Sequence, residues 1–397
     1  MAAPLEARKL WFAGIGGAGL SAYSVLARAW GADVAGWDPQ ETPYLDYVRA
    51  AGIPVEVSDS PSPPDGYEAV VSTAFADRVA GRTRAELLAE LVSLRESIVV
   101  AGAHGKTTTA AMIAFVLAQL GHDPAFLIGG EVPQLGGNAG IGDGLLVVEG
   151  DESDRTIESL RPRVAVVLNV DLDHHSAFAS RAEVEQLFER WLAHVPEVVR
   201  GDTLEPVDVE LGVPGEHNRR NATAALDALE RVGVARDDAL GALREFRGVG
   251  RRLEEHGEAG GVSLVDDYAH NPAKVAAALS AVRERYPESR VLVLFQPHLY
   301  SRTRHLAHEL GTALADAEIV AVTDVYGARE DRVPGVTGKL VVDALGEQRP
   351  GARVGWTPTV EQGARYLARW ARPGDVVVTV GAGDVDRAIP LLRETLA

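Results

Sequence analysis

The chain has 397 residues, no cysteine, and 57 acidic against 39 basic residues, which gives a formal charge of -18. This length predicts two or three domains, and the composition, 46% apolar and 24% charged, is typical of a globular protein. The missing cysteines exclude disulfides, thiol catalysis and cysteine-ligated metals. We expect neither nucleic acid nor a membrane among the partners, because polyanions are not attracted to a field of this sign.

An uncharged stretch, residues 10–27, follows Arg8 and Lys9 and therefore mimics a secretory signal. Four glycines interrupt it, at Gly14, Gly16, Gly17 and Gly19. This pattern favours a strand, a turn and a helix over one apolar helix, so we expect a cytoplasmic enzyme.

Short apolar runs alternate with longer helical patterns along the whole chain. The runs are residues 10–13, 98–101, 145–148, 164–168, 262–265, 291–295, 319–322 and 376–380. This alternation predicts an α/β protein whose helices cover both faces of parallel sheets. Breaks near Leu94 and Arg247 predict three domains: a Rossmann-like domain over 1–94, a shortened P-loop ATPase-like parallel sheet over 95–247, and a second Rossmann-like domain over 248–397.

The first glycine cluster is GIGGAG at residues 14–19, which fits G-x-G-x-x-G between a strand and a helix, with Asp38 about 20 residues further on. Glycines let the backbone approach a pyrophosphate at the helix N-terminus. The motif alone leaves three interpretations open: a nicotinamide cofactor, another nucleotide-like diphosphate, and a purely structural turn.

The second cluster, GAHGKTTT at residues 102–109, follows an apolar strand and opens a helix. Its first glycine, Gly102, is displaced from the Walker position, but Gly105-Lys106-Thr107 keeps the phosphate chemistry. Backbone N–H groups would cradle the phosphates, Lys106 would neutralise the β and γ oxygens, and Thr107 would offer its hydroxyl to Mg²⁺. Only four lysines occur in the chain, which favours this interpretation over a helix start capped by threonines.

Two polar segments follow neighbouring apolar runs. EGDESD at 149–154 places Glu149 at a strand end, where carboxylates near a P-loop can hold a hard cation. NVDLDHH at 169–175 places His174 at another strand end, where it can ligate a second metal. The alternatives are a solvated acidic loop and surface histidines.

Three more segments carry polar side chains. GEHNRRN at 215–221 offers Asn218 and Asn221, which read a purine edge or cap a helix. DDYAHNP at 266–272 and QPHLYSRTR at 296–304 each follow a strand, as expected for ligand-binding loops in open α/β sheets. Together they indicate a second substrate.

These motifs, together with GRR at 250–252, occur in the order found in the Mur ligases, and the chain resembles that family over nearly its whole length. The resemblance implies an N-terminal domain for a UDP-sugar, a central ATPase domain and a C-terminal domain that closes over ATP and binds the amino acid. It favours a UDP diphosphate over a nicotinamide cofactor at the first glycine cluster.

The resemblance is strongest to the alanine-adding type and implies its reaction, a step of peptidoglycan precursor synthesis. The lactyl carboxylate of UDP-N-acetylmuramate attacks the γ-phosphate of ATP, and the amine of L-alanine opens the resulting acyl phosphate. ATP and Mg²⁺ are the implied cofactors, and a monomer or homodimer is the implied state. A peptide-recycling ligase of the same superfamily and a non-catalytic UDP-sugar-binding regulator are the alternatives.

The resemblance also implies roles for individual residues. Catalysis falls to Lys106, Glu149, His174, His270 and Arg302. ATP is bound by Gly102, Gly105, Lys106, Thr107, Thr108, Asn218, Asn221, Arg252 and Asp267. The other substrates are bound by Gly14, Gly16, Gly17, Gly19, Asp38, Ser72, Thr73, His270, His298 and Arg302. Mg²⁺ is held by Thr107, Glu149 and His174.

Two departures from the family pattern are visible. Leu299 stands where the family commonly has a polar or basic residue after QPH, so the carboxylate of alanine must rely on Arg302 or another donor. Only 40 residues separate His174 from Gly215, several dozen fewer than in the family. We expect this loss to remove strands and a helix from the far edge of the central domain.

The supply of lysines bears on the metal site. Some Mur ligases and folylpolyglutamate ligases carry a lysine carbamylated by CO₂ that helps to hold a second Mg²⁺. No lysine lies between Lys106 and Lys274, and a carbamate on Lys106 would place negative charge beside the ATP anions. We therefore expect His174, a carboxylate such as Glu149 or Glu152, water and substrate oxygens to hold the second ion.

Activity is accordingly expected not to respond to bicarbonate. The measurement compares phosphate release in CO₂-depleted buffer with release in the same buffer plus bicarbonate, at fixed pH and ionic strength. A several-fold rise on adding bicarbonate would mean that a carbamate forms, and this view of the metal site would be wrong.

Overall fold

The computed structural model describes residues 3–172, 177–328 and 330–397. Within them the strands form three sheets of five, six and six members, so the predicted α/β class with three sheets is confirmed. The chain divides into two compact units: one takes in the residues up to Val207 together with Arg220–Phe246, and the other takes in Asp208–Arg219 and Arg247–Ala397. None of the described helices is long and apolar enough to cross a membrane.

The first sheet and its helices belong to the first unit. The elements are β1 (Lys9–Ala13), α1 (Ala18–Ala29), β2 (Asp33–Asp38), α2 (Pro43–Ala50), β3 (Val55–Val57), β4 (Glu68–Val71), β5 (Arg82–Thr83) and α3 (Arg84–Leu94). All strands run parallel, in the order β3-β2-β1-β4-β5. The order reverses at β1, so a crevice opens at its carboxyl end, beside the glycine turn. Residues 10–27 form the predicted strand, turn and helix.

The second sheet also lies in the first unit. Its elements, with two following helices, are β6 (Ser97–Ala101), α4 (Lys106–Gln119), β7 (Ala125–Val132), β8 (Gly137–Ile141), β9 (Leu146–Glu149), β10 (Val164–Val167), α5 (Arg181–Leu192), β11 (Glu197–Arg200), α6 (Glu216–Arg231) and α7 (Arg236–Leu243). The strand order is β11-β10-β6-β9-β7-β8. Residues 107–117 of α4 are all buried, as expected of a helix that is apolar on every side.

One strand of this sheet departs from the parallel arrangement that the sequence predicts. β8 pairs antiparallel with β7, because only a short 3-10 turn, Pro133–Leu135, and Gly136 separate the two strands. A connection of that length closes a hairpin, whereas a parallel partner needs a crossover of a dozen or more residues.

The third sheet forms most of the second unit. Its elements are β12 (Glu254–Ala259), β13 (Val262–Asp267), α8 (Pro272–Arg285), β14 (Val291–Phe295), α9 (Tyr300–Leu314), β15 (Ile319–Val322), α10 (Lys339–Gln348), β16 (Arg353–Trp356), α11 (Val360–Ala368), β17 (Val376–Val380) and α12 (Ala388–Leu396). The order is β12-β13-β17-β14-β15-β16, with β12 antiparallel to β13 and the other pairs parallel.

Burial on both faces explains the continuous apolar runs in the sequence. In β14, Val293 and Phe295 enter the core on one face of the third sheet, whereas Leu292 and Leu294 enter the core on the other face. A strand covered by helices on both sides needs apolar residues at every position. The eight predicted runs correspond to β1, β6, β9, β10, β13, β14, β15 and β17.

Candidate nucleotide and acceptor sites

The turn between β6 and α4 needs glycine at two positions. Gly102 and Gly105 have φ values of 137° and 85°, a region that side chains rarely adopt. A Cβ on Gly105 would lie 2.5 Å from Oδ1 of Asn221, and one on Gly102 would lie 2.9 Å from the carbonyl oxygen of Asn169. The turn therefore brings three segments into contact at the N-terminus of α4, where unpaired backbone N–H groups favour an anion.

Lys106, the first residue of α4, points back into this turn. Its Nζ donates to the carbonyl oxygen of Gly102 at 2.7 Å and to Oε2 of Glu152 at 3.0 Å. Burial opposes the charge, but the carboxylates of Glu152, Glu149 and Asp151 raise the pKa of Lys106 above its ordinary value. The ammonium is therefore charged inside the turn, and Glu152, only 2% exposed, is its counter-ion.

Thr107 and Glu149 form the second contact of the turn. The Thr107 hydroxyl donates to Oε1 of Glu149 at 3.1 Å, and Oε2 accepts from the backbone N–H of Gly129 at 2.8 Å. Hydroxyl and carboxylate oxygens are the ligands that hard Mg²⁺ prefers, so the chemistry of this pair fits the ion. Thr108 follows on α4 and is 9% exposed.

A larger metal cluster is absent from the described ranges 3–172, 177–328 and 330–397, which contain no group of three histidine and carboxylate ligands. His174, the third predicted metal ligand, lies outside those ranges. The structure therefore brings together two of the three predicted ligands and leaves the third a prediction.

Asn169 anchors the turn from the end of β10. Its Oδ1 accepts from the backbone N–H of His104 at 3.0 Å, and its Nδ2 donates to the His104 carbonyl at 3.0 Å. This reciprocal pair holds His104 of the turn at both of its backbone polar groups. Sequence reasoning gave Asn169 no role, although its position directly after an apolar strand marks it as a residue at the carboxyl edge.

The two asparagines predicted to bind adenine lie on α6. Asn218 and Asn221 are three residues apart and therefore share one helix face. Asn221 approaches the P-loop at Gly105, as described above, whereas Nδ2 of Asn218 donates to the carbonyl of Pro214 at 2.6 Å. Asn221 falls in the first unit and Asn218 in the second.

The glycine turn after β1 depends on Asp38, the last residue of β2. Oδ2 of Asp38 accepts from the N–H of Gly16 at 2.9 Å, and Oδ1 accepts from Gln40 at 3.2 Å. Thr42 completes the contact by donating to the carbonyl of Gly16 at 2.8 Å. Gly14, with φ 85°, lies so close to Phe75 that a Cβ would be 2.7 Å from the ring. Asp38 therefore stabilises the turn directly.

The other residues predicted to bind the sugar nucleotide surround this turn. Gly17 precedes α1 as its N-cap, and Gly19 lies in its first turn. Ser72 follows β4, its N–H donating to the carbonyl of Ala13 at 3.0 Å, and Thr73 begins a short 3-10 turn. All of them lie at the carboxyl edge of the first sheet.

In the second unit, the adjacent arginines Arg251 and Arg252 differ in their contacts. Arg251 donates to Oδ2 of the fully buried Asp266 at 2.9 Å and to the carbonyls of Gly381 and Gly383, each at 2.8 Å. Both guanidinium groups also lie over the Tyr268 ring, 5.2 Å from its centroid for Arg251 and 5.0 Å for Arg252. Arg251 therefore holds strand ends together, and Arg252 stays a predicted ATP-binding residue.

Asp267 supports the same segment from the end of β13. Its two oxygens accept from the N–H groups of Leu253, at 2.9 Å, and Ala269, at 2.7 Å. Burial, opposed by Arg252 and these two bonds, raises the pKa of Asp267 to about 6. Asp267, a predicted ATP-binding residue, thus also shapes the turn that carries Arg252.

The residues predicted to bind the amino acid lie together after β13 and β14. The rings of His270 and His298 are 5.9 Å apart, and Nη1 of Arg302 lies 3.3 Å from Nδ1 of His298. Burial, and then the charge of Arg302, lower the pKa of His298 to about 4. Near neutral pH the imidazole is therefore uncharged, and Arg302 is the cation of the pair.

Two further residues complete this cluster and escaped sequence reasoning. Tyr326 stacks on His298, with centroids 5.9 Å apart and planes 14° apart, and Glu330 accepts from the N–H of Ser301 at 2.8 Å. Leu299 has a φ of 68°, and its N–H donates to the carbonyl of Tyr326 at 2.9 Å. The sequence feature that could have pointed to Tyr326 and Glu330 is the polar stretch that follows β15.

The units divide the predicted residues into two sets. Those of the P-loop, the glycine turn after β1 and Asn221 lie in the first unit, and Asn218, Arg252, Asp267, His270, His298 and Arg302 lie in the second. Together these features define a P-loop α/β protein with a second glycine turn in its N-terminal sheet.

Comparison with known proteins specifies the family. A model of the Mur ligase, glutamate ligase domain matches residues 251–383. The UDP-N-acetylmuramate–L-alanine ligase of Streptomyces coelicolor is 37% identical to this chain, and the match covers 97% of each sequence. The same enzyme of Rubrobacter xylanophilus is 38% identical over 96% of this chain and 98% of its own length.

A solved structure agrees with these relatives. The UDP-N-acetylmuramate–alanine ligase MurC from Thermotoga maritima is similar over 97% of this chain and 98% of its own, with a TM-score of 0.78 and 26% identity. The chain belongs to the Mur ligase family, in the group of UDP-N-acetylmuramate–L-alanine ligases.

The contacts of the two arginines generate a prediction. Arg251→Ala should lower the free energy of unfolding by about 3 kcal/mol, because it leaves a buried carboxylate without its partner. Arg252→Ala should lower stability less than Arg251→Ala, because Asp267 keeps its two backbone N–H bonds, and should reduce phosphate release. Thermal unfolding and activity are measured on both variants. If Arg251→Ala unfolds like the wild type, or if Arg252→Ala is the less stable variant, the division of roles is wrong.

The buried imidazole of His298 generates a pH prediction. Its pKa of about 4 lies below the ordinary value of 6.5, so between these values the unfolded chain binds more protons than the folded protein and stability falls as the pH decreases. His298→Gln removes this contribution. The stability advantage of the wild type over this variant should therefore shrink from about pH 7 to about pH 4. His308→Gln, at an exposed position of α9, is the control, and an advantage that does not change with pH would contradict the prediction.

Proposed function

We propose that this protein joins L-alanine to the lactyl carboxylate of UDP-N-acetylmuramate at the expense of ATP, as a cytoplasmic step of peptidoglycan precursor synthesis. The observation that carries the proposal is the charged Lys106 inside a glycine turn, beside the Thr107–Glu149 pair. A chain related over its length to alanine-adding ligases, with this phosphate-binding turn intact, has what the first chemical step requires.

The chemistry explains why a phosphate-binding turn is needed. A carboxylate does not react with an amine until one oxygen becomes a leaving group. Attack of the lactyl carboxylate on the γ-phosphorus of ATP breaks the bond to ADP and gives an acyl phosphate. The amine of L-alanine then attacks the acyl carbon and loses a proton, and phosphate leaves. Both steps bring anions together, so fixed cations and N–H groups stabilise them.

The first unit supplies the groups for phosphoryl transfer. The N–H groups at the start of α4 and the ammonium of Lys106 would bind the β- and γ-phosphates, and phosphate oxygens would then take the place of Glu152 at Nζ. Thr107 and Glu149 would hold Mg²⁺, which neutralises phosphate charge when bound. Asn221, against Gly105, would lie near the nucleotide, and the glycine turn after β1 would receive the UDP diphosphate.

The second unit supplies the groups for the acceptor. Arg252 would bind phosphate and Asp267 the ribose of ATP. Arg302 would bind the carboxylate of L-alanine, since Leu299 offers no donor from its side chain. His298 is uncharged at neutral pH and lies beside Arg302 and His270, so it adds no second positive charge where the ammonium of alanine enters.

Removal of the P-loop cation tests the proposal. Lys106→Ala should reduce ATP-dependent phosphate release at least about a hundredfold, because one lost charge-stabilising group costs about 3 kcal/mol of transition-state stabilisation. Lys339→Ala is the matched control, since Lys339 is exposed and pairs with Asp343 on α10. Release is measured with UDP-N-acetylmuramate, ATP and Mg²⁺, with L-alanine present or omitted.

A folding control is needed because Lys106→Ala leaves Glu152 buried without its partner. The double variant with Lys106→Gln and Glu152→Gln keeps a neutral hydrogen-bonded pair and should fold while remaining inactive. If Lys106→Ala retained more than about a tenth of the wild-type rate, the catalytic assignment would be wrong. Faster turnover with a peptide acceptor than with L-alanine would contradict the assigned acceptor.

A further inference from the structure

Arg84, which none of the motifs contains, lies between the two ligand-binding regions of the first unit. It is the first residue of α3, and its backbone is fixed by a capping box in which Thr83 and Glu86 bond each other's N–H groups. The capping box is a local device that determines where a helix begins. It therefore places the Arg84 side chain at a defined point beside the first sheet.

The guanidinium packs along the first turns of α1. Nη1 of Arg84 lies 3.7 Å from the position that a Cβ on Gly19 would occupy, and Cδ lies 3.6 Å from it. One turn further along, the Tyr23 ring centroid is 6.0 Å from the guanidinium carbon. Burial, opposed by Arg84 and reinforced by nearby carboxylates, raises the pKa of Tyr23 to about 12, so the phenol is neutral and Arg84 supplies the charge.

The opposite side of the guanidinium contacts the acidic segment that follows β9. Nη2 of Arg84 donates to Oδ2 of Asp154 at 3.1 Å, and Oδ1 of Asp154 accepts from the N–H of Thr156 at 2.9 Å. Asp154 is thus anchored to its own segment while it holds the arginine. The same segment carries Glu149 and Glu152, which contact Thr107 and Lys106 of the P-loop.

Charge favours a ligand at this position. An arginine has five N–H donors in a planar fork that matches phosphate oxygens, and the Arg84 side chain is 37% exposed. The positive end of α1 lies alongside it. In a chain with a net charge of -18, a diphosphate at the glycine turn needs such a local cation.

We infer that Arg84 binds the diphosphate of the sugar nucleotide and, through Asp154, positions the acidic segment that faces the P-loop. This inference rests on the proposed function. When the diphosphate is bound, it meets one edge of the guanidinium while Asp154 keeps the other. Occupancy of the sugar-nucleotide site thereby holds this segment where Glu149 contacts Thr107. Arg84 is thus a binding residue, and Asp154 is a positioning residue.

Titration of the full protein with UDP-N-acetylmuramate tests the binding role. Arg84→Ala should raise the Kd at least about tenfold, since a bond to a charged group contributes about 1.5 kcal/mol or more. Arg84→Lys should recover part of this loss, because the charge remains and the fork is gone. The Kd of a non-hydrolysable ATP analogue should change little in either variant. Arg49→Ala is the matched control, because Arg49 is an exposed arginine on α2 that pairs with Glu41.

Steady-state kinetics test the positioning role. Asp154→Asn keeps a hydrogen-bond acceptor but loses the charge, and it should lower kcat about tenfold with the KM for L-alanine unchanged. The inference would be overturned if Arg84→Ala left the Kd for UDP-N-acetylmuramate within about twofold of the wild-type value. It would also be overturned if Asp154→Asn left kcat unaltered. Failure of the wild type itself to bind the sugar nucleotide would count against the proposed function instead.

Discussion

The left-handed turn between β6 and α4 is the constraint on which the nucleotide site depends. Its two glycines admit Asn221 and the Asn169 backbone so closely that no Cβ fits at either position. The same turn directs Lys106 back onto the carbonyl of Gly102, next to Glu152. Strand β6 lies between β9 and β10, so the residues that follow all three strands meet there. One backbone conformation thus assembles anion-binding N–H groups, a cation and a carboxylate.

Two carboxylates predicted to bind ligands, those of Asp38 and Asp267, accept hydrogen bonds from the backbone and stabilise turns. Asp38 bonds the N–H of Gly16, and Asp267 bonds the N–H groups of Leu253 and Ala269. Each stabilises a turn that carries a residue predicted to bind a ligand. A carboxylate that accepts two N–H bonds is fixed in orientation, so it can meet a ribose hydroxyl only with its remaining lone pairs. Position in the turn, and not the residue type alone, determines these roles.

The cations of the candidate sites lie close to the ends of strands. Lys106 follows β6, Arg302 follows β14 and Arg84 follows the edge strand β5, whereas Arg252 lies just before β12. Each lies beside an acidic or aromatic partner that limits its freedom: Glu152, Tyr268, His298 and Asp154. Such partners keep a cation in place, and in the proposed reaction an arriving phosphate or carboxylate would meet a charge that is already oriented.

The sequence by itself determined the three α/β sheets, the positions of eight strands and the P-loop, because apolar periodicity and left-handed glycines depend on local sterics and burial. It did not reveal that β8 is antiparallel, that Arg251 pairs with the buried Asp266, or that Arg84 contacts Asp154. These properties depend on contacts between residues far apart in the chain. Only the tertiary structure decides them, because a side chain's role follows from which neighbours the packing brings within hydrogen-bond distance.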